Sequence, residues 1–69
     1  MMTFTVEYEQ EEDGRWLAEV LELPGVLAYA QTSDEAIAKA QALALRVLAD
    51  RLERGEAAHE FVNISFAAA

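Results

Sequence analysis

A chain of 69 residues without cysteine makes one small domain and has no disulfide to staple it. Its residues are 54% hydrophobic, more than so short a chain readily buries in its own core, so some is expected to be covered by another subunit. Thirteen Asp and Glu against five Lys and Arg give a net charge of −8, a field that repels phosphate and argues against direct DNA or RNA binding.

Residues 3–9 alternate strictly. Phe4, Val6 and Tyr8 fall on one face, and Thr5, Glu7 and Glu9 on the other, which predicts a first strand. A turn cluster follows, ending in Asp13-Gly14. A two-residue turn on Asp13-Gly14 competes with a three-residue loop that puts Gly14 in the left-handed position of a bulge. The three-residue loop is preferred. It pairs Tyr8 with Ala18 and gathers Trp16, Ala18 and Val20 on the face of Phe4 and Val6, whereas a one-residue slip mixes glutamates into that face.

The second strand is expected over 16–21, with Leu17, Glu19 and Leu21 on its other face. Leu23-Pro24-Gly25 ends it, because proline cannot donate to a ladder. A short third strand over 26–30 sets Leu27 and Tyr29 opposite Val26 and Ala28.

Thr32-Ser33-Asp34-Glu35 has the spacing of a capping box and predicts a helix over about 33–54, closed by Gly55. Its apolar stripe runs through Ala36, Ile37, Ala40, Ala44, Val47 and Leu48. The apolar arc goes on through Ala38, Leu45, Ala49 and Leu52, wider than one sheet needs. Leu45 and Leu52 are therefore candidate self-association residues. A fourth strand is expected over 61–66, with Val62, Ile64 and Phe66 on one face and Ala67 to Ala69 fraying.

The order β-β-β-α-β predicts an α+β fold. Three strands meander, and the helix crosses right-handedly over the sheet to lay strand 4 beside strand 1. The result is a four-stranded mixed sheet in the order 3-2-1-4, covered on one face by the helix. Its uncovered face carries Thr5, Glu7, Leu17, Glu19 and Leu21.

The string from Asp13 through Arg15-Trp16-Leu17-Ala18-Glu19-Val20, then Leu23-Pro24-Gly25-Val26, then Thr32-Ser33-Asp34-Glu35-Ala36, resembles the N-terminal domain of HicB-family antitoxins. The resemblance spans residues 3–66. It implies a partial ribonuclease-H-like fold and binding to a HicA-like toxin, a small basic ribonuclease that cleaves messenger RNA. Val26 stands where many members have cysteine, and Ala30 where many have glycine. Members usually continue into a DNA-binding domain; this sequence stops at Ala69, so operator binding is not implied.

Other chemistry is weakly supported. His59 has no cysteine or second histidine to complete a zinc site, and Ser33 is better explained by the helix start. The three glycines are isolated at turns and form no phosphate loop. Glu7, Glu9 and Glu19 could gather around a hard cation, yet a solvated sheet face explains them better. No catalytic, cofactor or metal residue is expected, and the chain is not read as an enzyme.

The leading expectation is a HicB-like antitoxin module that masks a basic toxin, with Glu7, Glu9, Leu17, Glu19 and Leu21 meeting the partner. Acidic groups around apolar anchors suit a basic surface. The alternatives are a stand-alone oligomeric domain binding another protein or small ligand, and a degenerate metal-dependent hydrolase. A homo-oligomer, a dimer or higher, is expected. No run approaches the ~20 apolar residues of a membrane span, and no signal-peptide pattern opens the sequence, so a cytoplasmic protein without a membrane partner is expected.

Overall fold

A computed structural model describes residues 2–56 and 63–69. Strand β1 (Met2–Gln10), β2 (Trp16–Val20), β3 (Leu27–Ala30), helix α1 (Ser33–Glu53) and β4 (Ile64–Ala68) follow in that order. The sheet order is β3-β2-β1-β4, with β4 parallel to β1 and the other pairs antiparallel. The helix packs across one face.

The β1–β2 hairpin closes as the hydrophobic pattern requires. Tyr8 pairs with Ala18 and Val6 with Val20, so Phe4, Val6, Ala18 and Val20 are all buried under the helix. The loop is the three-residue one: the Glu11 N–H donates to the Arg15 carbonyl and the Gly14 N–H to the Glu11 carbonyl. Gly14 takes φ +93, a left-handed conformation that side chains resist.

Every element is shifted by a residue or more at some boundary: β1 gains Met2 and Gln10, α1 ends at Glu53, and the three remaining strands change as follows. Strand β2 ends at Val20, one residue early, because a tight turn intervenes: Leu23 N–H donates to the Val20 carbonyl and Val26 N–H to the Leu23 carbonyl. Leu21 still donates to the Thr5 carbonyl at 3.0 Å, which keeps it in register with Leu17 and Glu19. Val26 belongs to that turn, so β3 starts at Leu27.

Strand β4 shows the largest shift. Ala67 and Ala68 are strand residues, and the Ala69 N–H donates to the Val6 carbonyl at 2.9 Å. Alanine gives little strand preference. Here the backbone of β1 supplies the template, and pairing through main-chain groups does not consult the side chain. Of the expected strand over 61–66, Phe61 and Val62 lie outside the described residues, as does His59.

Helix α1 begins where the cap pattern placed it. The Thr32 hydroxyl accepts from the Glu35 N–H at 3.1 Å. Its end is a paired closure: Gly55 N–H donates to the Leu52 carbonyl and Glu56 N–H to the Arg51 carbonyl, with Gly55 at φ +73. The buried stripe is Ala36, Ala40, Ala44 and Leu48. Three alanines with no exposed surface let the helix approach β2 and β3 closely, which is where most of its packing lies. Phe4 stacks at a tilt on Phe66 of β4, with ring centres 5.7 Å apart.

Candidate functional site

The sheet face turned away from α1 is set by the same pleat that makes the core. If Phe4 and Val6 point to the helix, then Thr3, Thr5, Glu7 and Glu9 must point outward. The neighbouring strands extend this face. Glu7 stands opposite Glu19, Glu9 opposite Leu17, Leu17 opposite Tyr29, and Glu19 opposite Leu27. On the far side Ser65 of β4 meets Thr3, their hydroxyls hydrogen-bonded at 3.0 Å.

Two features stand out on this face. The first is a cleft of about 390 Å³ lined by Glu7, Tyr8, Glu9, Leu17, Glu19 and Ala69. Four of the five residues expected to meet a partner, Glu7, Glu9, Leu17 and Glu19, thus line one depression. Leu21 does not join them and lies exposed beyond the end of β2. The second is an apolar strip alongside, where Leu27 and Tyr29 are 41% and 40% exposed. Sequence reasoning set these two opposite Val26 and Ala28 but did not add them to the site. The signal was available in the β2–β3 register, which puts Tyr29 beside Leu17 and Leu27 beside Glu19.

Tyr8 also departs from expectation. Its register places it with Phe4 and Val6, yet it is 42% exposed. It leans on Trp16 at 6.4 Å between ring centres and contributes to the cleft wall.

The charge pattern is one-sided. Glu7 and Glu19 face each other across the hairpin, and like charges in that position are destabilising. Among the described residues the ion pairs are Asp13 with Arg15, and Arg54 with Asp50 and Glu56; none reaches Glu7, Glu9 or Glu19. Arg15 is held at the rim. Its Nε donates to Asp13 at 2.8 Å, and its guanidinium lies 4.4 Å from the centre of the Tyr29 ring.

Two carboxylates nearby are fixed rather than free. The Arg15 backbone N–H, and then its guanidinium, hold the Asp13 carboxyl below its ordinary range. The Thr5 backbone N–H, donating to Glu22 Oε1 at 2.7 Å, does the same for Glu22.

Among the described residues no group of His, Asp or Glu is arranged to hold a metal ion. No helix in the described residues is long and apolar enough to cross a membrane. No family model matches the chain, and neither a curated protein nor a solved structure is similar to it by the same comparisons.

Proposed function

We propose that this chain is an antitoxin-type, non-enzymatic binding module of the HicB kind, acting in the cytoplasm through the open face of its sheet. The partner is a small basic protein, in the first instance a messenger-RNA-cleaving toxin whose RNA-binding surface the module covers. The observation that carries this reading is the facing pair Glu7–Glu19, in no ion pair among the described residues, beside partly buried Leu17 and exposed Leu27 and Tyr29. A fold gains nothing from two carboxylates opposed in this way. A basic surface gains from both, since carboxylates spaced across two strands offer the acceptors that phosphates would, and the apolar strip supplies area around them.

The test is inhibition of a small basic HicA-like ribonuclease, measured by RNA cleavage. Glu7→Gln with Glu19→Gln should weaken inhibition at least tenfold, with a flatter dependence on salt. Full inhibition by the double variant would overturn the reading.

A further inference from the structure

Leu45 and Leu52 of α1, the residues expected to self-associate, are each 47% exposed, and no described element covers them. The β1–β2 loop carries more, because the reacting groups it brings together belong to the chain itself. An aspartate followed by glycine is prone to isomerise, since glycine has no Cβ to shield its nitrogen from the neighbouring carboxyl carbon. Of the three aspartates only Asp13 has glycine after it; Asp34 and Asp50 precede Glu35 and Arg51 inside α1. The loop lies in solvent, and a Cβ built on Gly14 would meet nothing within 4 Å. Sterics therefore leave the Gly14 nitrogen unprotected.

Hydrogen bonds restrain the pair instead. The Gly14 N–H, whose proton must leave before the nitrogen can attack, donates to the Glu11 carbonyl at 3.0 Å. The Gly14 carbonyl accepts from the Gln10 side chain at 3.1 Å, so both peptide groups of the residue are engaged. Both oxygens of the Asp13 carboxylate are occupied as well. Its Oδ1 accepts from the Arg15 backbone N–H at 3.0 Å, and its Oδ2 from Arg15 Nε at 2.8 Å. These bonds favour the ionised form, which resists a nucleophile because oxide is a poor leaving group. Arg15 is braced from outside the loop, its guanidinium 4.4 Å from the centre of the Tyr29 ring on β3.

We infer that Asp13 is the position at which this chain isomerises to isoaspartate, and that Arg15, braced on Tyr29, is the residue that holds the reaction back. In the first step the Gly14 nitrogen bonds to the Asp13 side-chain carboxyl carbon, and one oxygen of that carboxyl leaves as water. The succinimide ring then takes up water at its other carbonyl, breaking the original peptide bond to the Gly14 nitrogen. Mass and charge are unchanged, water is the sole co-reactant, and the main chain gains one carbon. The longer chain disturbs the Glu11–Arg15 closure and takes the carboxylate from Arg15, whose guanidinium borders the open face at Tyr29. The inference is independent of the partner assigned to that face.

Prolonged incubation of the intact chain at neutral pH tests it, read by isoaspartate methyltransferase labelling and peptide mapping. A synthetic peptide of residues 10–16 lacks the bonds that the fold enforces and should isomerise at Asp13 at least about tenfold faster than the folded chain. Arg15→Ala should raise the rate in the folded chain about threefold, the scale of an exposed charged pair, and should leave the rate in the peptide unchanged. Tyr29→Leu removes the ring but keeps apolar bulk. It should raise the rate by a smaller factor, and it carries the test if Arg15→Ala loses the wild-type circular dichroism spectrum. A folded chain that converts as fast as the peptide, conversion at Asp34 or Asp50 instead, or equal rates in the wild type and the folded variant would each overturn the inference. So would a peptide that accelerates as much as the folded variant, since the effect would then belong to the sequence and not to the loop.

Discussion

The two faces of this sheet are built from the same strands, yet they obey different rules. Under the helix, Phe4, Val6, Ala18 and Val20 are buried, and no polar or charged residue is buried among the described residues. On the other side, the alternate residues place Glu7 opposite Glu19 and leave Leu27 and Tyr29 open to solvent. Folding explains these four residues, because each removes apolar area from water. It does not explain the second face, where Glu7 and Glu19 oppose each other with no ion pair to either among the described residues. Such contradictions are where binding is to be sought.

The largest expected effect separates the faces by stability. Leu48 is 1% exposed and sits on the buried stripe, so Leu48→Ala should cost about 2–5 kcal/mol through lost transfer energy and a cavity. A domain this small has a stability near the lower end of about 5–15 kcal/mol, so the variant should be partly unfolded at room temperature. Leu27→Ala removes the same atoms from the open face and should change stability by no more than about 0.5 kcal/mol. Urea unfolding of both decides it, and equal losses would mean that the open face is part of the core.

A smaller effect of opposite sign sharpens the contrast. Removing one charge of the facing pair, as in Glu19→Gln, should stabilise the isolated chain by about 0.2–1 kcal/mol. The same change should weaken binding of a basic partner. Stability and binding moving apart under one substitution would mark Glu19 as a binding residue. A destabilised variant would show that Glu19 supports the fold instead.

What was legible in the sequence follows the same division. The alternation through Phe4 and Val6, the Asp13-Gly14 loop and the Thr32 cap each concern local geometry or burial, and each was readable from residue types alone. The four cleft residues were readable too, since the hairpin register fixes which side chains share a face. The contributions of Leu27 and Tyr29 were not drawn out, because they depend on how a third strand registers on the second. The strand character of Ala67 and Ala68 had no side-chain signal whatever, being set by the backbone of β1. The exposure of Tyr8 is a matter of packing between distant elements, which alternation within one strand does not report.

The smallest effect concerns acid. Glu22 and Asp13 are both held below their ordinary pKa by backbone N–H donors, from Thr5 and Arg15 respectively. A group with a lowered pKa in the folded state contributes stability above its unfolded pKa, and that contribution fades as pH falls through the folded value. Net charge opposes this trend. Lowering the net charge of −8 relieves repulsion over the whole chain, so the total curve of stability against pH is a contest between the two. Glu22→Gln isolates one side of it. The wild-type chain should exceed the variant in stability near neutral pH, and the gap should close as pH is lowered through the ordinary carboxylate range and past the lowered folded value of Glu22. Both groups are exposed, so the gap should be small, and it is best read from parallel urea titrations. A gap that stays constant with pH would mean that the Thr5 bond does not distinguish the charged carboxylate from a neutral amide.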